Sequence, residues 1–148
     1  MKNKKFIFVI LLIGIVAFLI SKFIFSICII HGNSMIPTLK DKDLVIESKL
    51  IDKITNGDVV VIRKNNLKMI KRIIGIPGDT VEIKDNYVFV NGIKYDSFIT
   101  TFAGNLSEKV ELCFNEYIVL GDNREESIDS RYSEIGIIKR NEIVGKIV

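Results

Sequence analysis

The sequence predicts an all-β fold, a mostly antiparallel sheet or barrel, that follows one N-terminal transmembrane helix. Residues 6–30 are almost uniformly apolar, whereas the later apolar runs are short, rich in β-branched residues and separated by turn residues. Short runs of this kind are typical of strands, and no long amphipathic helical pattern interrupts them. A chain of 148 residues has room for one such domain.

The N-terminal segment predicts a retained membrane anchor. Residues 6–20 form an uncharged run that spans roughly 22 Å as a helix, and the stems of Lys4 and Lys22 extend it toward the ~30 Å of a bilayer core. The lysines before the run favour a cytoplasmic N-terminus. A cleavable signal peptide is the alternative, although no Ala-x-Ala site follows. We expect residues 1–22 to be the cytoplasmic start and single-pass anchor, and residues 23–148 to be a domain on the outer face of the cell membrane.

Eight apolar segments predict strands, and they are residues 44–46, 59–62, 69–74, 80–83, 87–90, 110–114, 117–120 and 143–148. The pair Asn91-Gly92 predicts a tight hairpin after the fifth segment, because both residues tolerate positive φ. Residues 23–30, apolar on both faces, predict a further strand that dips toward lipid. Residues 100–109 predict a loose loop in which a deletion is tolerated.

Composition and charge exclude several functions. The net charge of +3 owes much to the N-terminal lysines, and charges of both signs are interspersed elsewhere, so no nucleic-acid binding is expected. Cys28 and Cys113 lack metal-ligand spacing and lie in apolar or alternating runs, which favours buried thiols over a disulfide. The sequence has no P-loop, dinucleotide-binding glycine pattern or metal-ligand motif, so no cofactor and no metal are expected.

Ser34 and Lys71 are the residues with catalytic potential. A serine hydroxyl needs a base before it attacks a carbonyl, and the single histidine, His31, lies too close to Ser34 in sequence to reach it. A lysine serves instead if it loses its proton and lies within hydrogen-bond reach. Strand alternation puts Lys71 on one face with Met69 and Ile73. Lowering its pKa from ~10.4 to ~8 requires roughly 3 kcal/mol, which burial among apolar neighbours can supply. Taken singly, a turn serine and a solvated surface lysine are the alternatives.

The neighbours of Ser34 predict an irregular turn. Gly32 permits a bend or a close backbone approach, and Pro37 restricts the residue before it to extended conformations. Such a turn can direct the Ser34 hydroxyl and its own backbone N–H toward one point, as an oxyanion site requires.

A polar segment, residues 121–131, predicts support for Lys71. If residues 127–131 are extended, Ser127, Asp129 and Arg131 share one side. Their side chains can then support a neighbouring lysine and brace the loop by an ion pair. Arg72 lies on the opposite face from Lys71 and is suited to pairing with a carboxylate.

Five segments together resemble bacterial type I signal peptidases, and they are residues 34–39, 57–61, 71–79, 121–131 and 143–146. They occur in the family's order from Gly32 nearly to the C-terminus. The resemblance implies that Ser34 is the nucleophile, Lys71 the general base and Ser127 the hydroxyl that positions Lys71. Asp129 and Arg131 become the supporting pair.

The sequence departs from the family pattern at several positions. Some relatives have a serine that binds the oxyanion where Gly32 stands, so the Ser34 backbone N–H carries more of that role. His31 stands where many members have an acidic residue, and we expect it to have no catalytic role. Two extra residues precede Gly136, and a common proline near Lys139 is missing.

The resemblance implies a membrane-bound serine endopeptidase that cleaves signal peptides from exported preproteins after small, Ala-x-Ala-like residues. Its partners would be signal-peptide-bearing preproteins, the lipid bilayer and the protein export machinery. One alternative is the self-cleaving domain of SOS-response repressors, which would need a DNA-binding segment in place of the apolar N-terminus. The other is a catalytically inert, membrane-anchored domain that binds exported proteins, which the presence of both Ser34 and Lys71 disfavours.

Overall fold

The computed structural model describes the backbone of residues 2–148 and the side chains of residues 6–19 and 23–148. Within this range one helix precedes eleven strands. The elements are α1 (Lys2–Ile24), β1 (Phe25–Ile29), β2 (Leu44–Ser48), β3 (Val59–Lys64), β4 (Leu67–Gly75), β5 (Thr80–Lys84), β6 (Tyr87–Val90), β7 (Ile93–Lys94), β8 (Val110–Glu111), β9 (Glu116–Leu120), β10 (Ile138–Lys139) and β11 (Ile143–Ile147), with short 3₁₀ helices at Gly104–Leu106 and Arg140–Glu142.

The strands form two antiparallel sheets. The larger sheet has the order β1-β2-β11-β3-β4-β9-β10, and the smaller has the order β7-β6-β5-β8. One apolar cluster packs on the face of the larger sheet that carries Val60 and Ile73. A second cluster joins the sheets, since it combines Ile118 of β9 with Val81 of β5. The prediction of a mostly antiparallel β fold is confirmed.

Tight turns fix the register of three hairpins. The predicted Asn91-Gly92 turn is confirmed: both residues have positive φ, and Val90 pairs directly with Ile93. Two further turns of the same kind, at residues 65–66 and 85–86, join β3 to β4 and β5 to β6. The sequence analysis did not single them out, although asparagine and aspartate there tolerate positive φ for the same reason.

The N-terminal region continues from α1 into the larger sheet. Helix α1 ends at Ile24, and β1 occupies most of the predicted strand at 23–30. The side chains of residues 6–19 are exposed. In residues 2–148, no helix combines the length and the hydropathy that a bilayer span requires. The single-pass anchor therefore stays a prediction, and the roles of Lys4 and Lys22 fall outside the described side chains.

The expectation of a loose loop at residues 100–109 is wrong. Thr100 and Leu106 are buried, and the backbone N–H of Asn105 donates to the carbonyl of Arg131 at 2.8 Å. Polar composition suggested mobility, but the loop is held by partners distant in sequence.

Two smaller expectations also differ from the structure. The strand expected at 110–114 stops at Glu111, because the chain turns toward β9 at residues 113–116. Cys113 is exposed rather than buried, whereas Cys28 is half-buried, and both thiols are free.

Candidate active site

Ser34 lies in a turn between β1 and β2. The turn begins at Gly32, which has φ +89° and donates its N–H to Asp41 Oδ1 at 2.9 Å. A Cβ at Gly32 would meet no atom within 4 Å, so the glycine provides the bend and not a close approach. The buried Met35 fixes the turn to the domain, and the Ser34 carbonyl accepts the N–H of Asn123 at 3.0 Å.

Lys71 lies in β4 with its side chain on the apolar face of the sheet. It pairs across from Val60, and it is 4% exposed. Val60 and Ile73 on the same face belong to the core cluster, and Met69 packs against it. In the described chain, Lys71 Nζ has no hydrogen bond and no ion pair. The amine is therefore buried without a contacting counter-charge.

Burial has the expected electrostatic effect on Lys71. The pKa of Lys71 falls from 10.5 to about 8, chiefly because burial penalises the ammonium. The negative charges of Asp129 and Asp122 oppose this shift in pKa, and the positive charge of Arg131 reinforces it. Close to neutral pH, an appreciable fraction of Lys71 is an uncharged amine.

Ser34 and Lys71 line the same cavity, which has a volume of about 510 Å³. The end of β1 with the residues after it, including His31, forms one wall, and residues 68–71 of β4 form another. In the described chain no hydrogen bond joins Ser34 to Lys71. Catalytic hydrogen bonds often form only when substrate is bound, so the open geometry is compatible with a dyad.

Ser127 lies where the polar segment meets the Ser34 turn. It is 1% exposed, and its Oγ has no hydrogen-bond partner in the described chain. A Cβ on Gly121 would lie 2.2 Å from Ser127 Oγ and 2.4 Å from the Ser34 carbonyl oxygen. Only glycine at position 121 therefore leaves room for the Ser127 side chain and the Ser34 carbonyl to pack against the backbone there. A buried hydroxyl without a partner is rare, which makes Ser127 available to a group that moves or ionises.

Asp129 and Arg131 form a fully buried ion pair. Arg131 Nε donates to Asp129 Oδ1 at 2.8 Å, and Nη2 donates to Oδ2 at 2.9 Å. The pair also holds the backbone beside it, because Arg131 donates to the Ser127 carbonyl at 3.0 Å and Asp129 accepts the Gly121 N–H at 3.0 Å. The segment is not fully extended as expected: a turn closes where the Tyr132 N–H donates to the Asp129 carbonyl.

Arg72 connects β4 to the Ser34 turn through Asp122. Its Nε and Nη2 donate to the two oxygens of Asp122 at 2.7 and 2.5 Å, and its Nη1 donates to the Gly57 carbonyl at 2.7 Å. Thr38, in the Ser34 turn, donates its hydroxyl to Asp122 at 2.5 Å. The sequence analysis did not single out Asp122, although its place in the Gly-Asp-Asn-Arg run was the available signal.

Arg124 is a second residue that the sequence analysis missed. It is buried, and it donates to the Gly121 carbonyl at 2.9 Å, Thr100 Oγ1 at 3.0 Å and Asp96 Oδ2 at 2.5 Å. These bonds tie the 96–100 segment to the glycine that separates Ser127 from Ser34. In the described residues, no group of three His, Cys, Asp or Glu side chains is arranged to hold a metal ion.

An antiparallel β fold in which a serine and a buried lysine of lowered pKa line one cavity is compatible with a hydrolase. The chain belongs to the family described as signal peptidase, peptidase S26, whose profile matches residues 3–148. It is a signal peptidase I and a member of a family that cleaves signal peptides.

Individual relatives agree with this assignment. The chain is 38% identical to signal peptidase IB of Staphylococcus aureus, over 90% of this chain and 81% of that protein. It is 34% identical to signal peptidase I S of Bacillus subtilis, over 88% of this chain and 79% of that protein. Among solved structures, a signal peptidase I from Enterococcus faecalis superposes with a TM-score of 0.54 at 26% identity, over 67% of this chain and 100% of that one.

Proposed function

We propose that this chain is a membrane-bound serine endopeptidase that cleaves N-terminal signal peptides from exported preproteins after small, Ala-x-Ala-like residues. Ser34 is the nucleophile and Lys71 is the general base. One observation carries the proposal: Lys71 is a buried amine with a pKa of about 8 that lines the same cavity as Ser34. At pH 8 about half of such an amine is neutral, compared with well under about 1% of an ordinary lysine.

The reaction proceeds in two steps. Neutral Lys71 accepts the Ser34 hydroxyl proton as Oγ bonds to the scissile carbonyl carbon, and the resulting ammonium returns a proton to the leaving amine. The acyl-enzyme is then hydrolysed by a water that Lys71 deprotonates. Ser127 Oγ, buried and without a partner in the described chain, is available to orient the Lys71 amine.

The backbone N–H of Ser34 is suited to stabilising the oxyanion. Within residues 2–148 it donates to no backbone acceptor, whereas the N–H of Ile36, two residues later, donates to the Asn33 carbonyl. A preorganised N–H beside the nucleophile stabilises negative charge without reorganisation. Gly32 contributes the bend that leaves this N–H accessible.

The substrate binds as an added strand. Among the described residues, positions 67–71 of β4 pair with β3 alone, because pairing with β9 begins at Arg72. Strand β1 pairs only with β2 in the described chain. These two open edges border the cavity, and an extended peptide can form main-chain hydrogen bonds with either of them. Shallow apolar pockets there admit small side chains.

An apolar surface next to the cavity supports attachment to the bilayer. Phe25, Ile27 and Ile29 of β1 are exposed on one face, and Leu44 and Ile46 of β2 lie beside them in register. Apolar side chains of α1, the element that directly precedes β1, are also exposed. Contiguous apolar surface of this extent marks an interaction site. We assign it to the outer face of the cell membrane, with the N-terminus cytoplasmic and preproteins delivered by the export machinery.

Processing of a preprotein by the purified full-length chain tests the proposal. Wild type should release a mature protein whose new N-terminus follows a small residue. Ser34→Ala and Lys71→Met should fold, as shown by circular dichroism, yet release none. The matched control is Lys84→Met, which removes an exposed lysine from another strand and should process normally. Full processing by Lys71→Met would refute the role of Lys71.

A further inference from the structure

One buried arginine joins the polar segment to a loop of the smaller sheet. The Arg124 side chain is 2% exposed. Its Nε donates to the Gly121 carbonyl at 2.9 Å. Its two terminal nitrogens donate to Thr100 Oγ1 at 3.0 Å and to Asp96 Oδ2 at 2.5 Å. The guanidinium is therefore shared between the polar segment and the 96–100 segment that follows β7.

The 96–100 segment is anchored to the smaller sheet. The Thr100 N–H donates to the Asn86 carbonyl, in the turn between β5 and β6, at 2.8 Å. The second oxygen of Asp96 accepts the Phe98 N–H at 3.0 Å. The buried guanidinium lies 5.3 Å from the centre of the Phe98 ring, within the range of a cation–π contact. These contacts hold the Asp96 carboxylate in one place as a partner for the guanidinium.

Gly121 is the point at which this link reaches the candidate active site. Its N–H donates to Asp129 Oδ2 at 3.0 Å, and its carbonyl accepts the Arg124 bond, so the backbone is held on both sides of the glycine. A Cβ here would lie 2.2 Å from Ser127 Oγ and 2.4 Å from the Ser34 carbonyl oxygen, so both atoms pack directly against this backbone. A displaced Gly121 would therefore displace the Ser127 hydroxyl.

We propose that Asp96 is a positioning residue that acts on the reaction through Arg124. The ion pair holds the Gly121 backbone in place, and Gly121 in turn holds the Ser127 hydroxyl that orients the Lys71 amine in the proposed mechanism. This inference therefore rests on the proposed function. The bonds of Asp96 go to Arg124 and to the backbone of its own segment, so its influence on the reaction follows this one route.

The charge of Asp96 matters because Arg124 is buried. In the described chain, Asp96 supplies the carboxylate that pairs with this guanidinium. A buried cation that loses its counter-charge is strongly disfavoured and moves toward water. Such a movement would withdraw Nε from the Gly121 carbonyl. Asp96→Asn keeps the shape of the side chain and removes its charge, whereas Asp96→Glu keeps the charge on a longer stem.

Steady-state cleavage of a signal-peptide substrate by the full-length enzyme tests the proposal. Asp96→Asn should lower kcat about tenfold and leave KM within about twofold, because Asp96 lies outside the lining of the Ser34 cavity. Asp96→Glu should recover part of the loss. The matched control is Glu142→Gln, which removes the 3.5 Å ion pair of Glu142 with Lys64 and should change neither constant.

A double-mutant cycle with Ser127→Ala distinguishes positioning from a general loss of stability. If Asp96 acts through the Ser127 hydroxyl, Asp96→Asn should lower kcat by less than about twofold in the Ser127→Ala background. A loss of about tenfold in both backgrounds, or a wild-type kcat in a folded Asp96→Asn variant, would overturn the proposal. An equal fall in kcat in the control Glu142→Gln would overturn it as well.

A milder variant covers the case in which Asp96→Asn does not fold, as judged by circular dichroism. Thr100→Val removes one neutral acceptor from the same guanidinium and should lower kcat about threefold with KM unchanged. An unchanged kcat in Thr100→Val would then overturn the proposal. Failure of wild type to cleave any signal-peptide substrate would count against the proposed function instead.

Discussion

The two lysines of β4 that line the cavity have opposite surroundings. Lys71 is buried on the apolar face of the sheet and contacts no carboxylate in the described chain. Lys68, three residues earlier, is half exposed and pairs with Glu47 at 3.1 Å. Strand alternation separates them, because side chains an odd number of residues apart point to opposite faces. The same residue type is thus a buried amine with a lowered pKa on one face and an ion-paired side chain on the other.

The difference shows what makes a lysine a base in this fold. Solvent exclusion alone destabilises an ammonium, whereas a contacting carboxylate restores its stability. Asp129 is fully buried and raises the pKa of Lys71 through its charge, but its oxygens are bonded to Arg131. Because Arg131 bonds to both oxygens of Asp129, this buried carboxylate forms no ion pair with Lys71. Four predictions test this contrast, in order of decreasing effect.

The largest expected effect is the difference in kcat/KM between variants that lack Lys71 and variants that lack Lys68. Lys71→Met should lower kcat/KM for an Ala-containing peptide by more than about 10³-fold, because Ser34 loses its base. Lys68→Met/Glu47→Gln should lower it by less than about tenfold on the same peptide. Comparable losses in the two variants, both folded by circular dichroism, would show that the two faces of β4 do not differ in their contribution to catalysis.

The stability of the Lys71 variant should depend on pH. The folded pKa of about 8 lies below that of the unfolded chain, so the unfolded state binds more protons between pH 8 and 10.5 and wild-type stability rises through that window. Lys71→Met lacks this term. The difference in the free energy of unfolding between Lys71→Met and wild type should therefore fall by about 2.5 kcal/mol between pH 7 and pH 10 in denaturant titrations. An advantage that is constant over this range would mean that the Lys71 ammonium is not destabilised by folding.

Activity should also follow the protonation of Lys71. Because the neutral amine is the reactive form, kcat/KM should rise about tenfold per pH unit below pH 8 and level off above it. Between pH 6 and pH 8 the increase is about fiftyfold, because about half of Lys71 is still protonated at pH 8. Lys68→Arg, which changes the other lysine, should leave the midpoint unchanged. A profile that keeps rising past pH 10 would indicate a base of ordinary pKa.

The smallest effect is expected at the Lys68–Glu47 pair. Lys68→Met leaves Glu47 buried with fewer donors and should reduce the free energy of unfolding by about 1 kcal/mol, a modest loss because Lys68 is half exposed. Adding Glu47→Gln should recover part of that loss. A Lys68→Met variant as stable as wild type at pH 7 would show that Ser26 and Cys28, which also donate to Glu47, satisfy it unaided.

Much of the fold followed from local sequence patterns. Alternating apolar runs gave most strand positions because burial on one face of a sheet imposes a two-residue period. Tight hairpin turns could be predicted from residues that tolerate positive φ. The turns at 65–66 and 85–86 have such residues, but the sequence analysis did not predict them. The 100–109 loop was mispredicted because its anchors, Arg124 and Arg131, lie more than twenty residues away.

The candidate active site could be predicted less completely than the fold from local sequence patterns. Ser34 and Lys71 lie far apart in sequence, so their chemistry and the resemblance to a family could pair them, but only the structure shows that they line one cavity. Glu47 carried a signal that was overlooked: a carboxylate at the end of the apolar run in β2. Asp122 and Arg124 carried a signal only through their place in the Gly-Asp-Asn-Arg run, because local composition in a polar loop does not indicate which charges will be buried.

Direct titration of Lys71 tests the central claim most sharply. The ¹³Cε resonance of Lys71, assigned by its loss in Lys71→Arg, can be followed from pH 6 to pH 11 in the full-length protein. A midpoint close to 8, well separated from that of the other lysines, is the predicted result. A midpoint near 10.5 would contradict the assignment of Lys71 as the base.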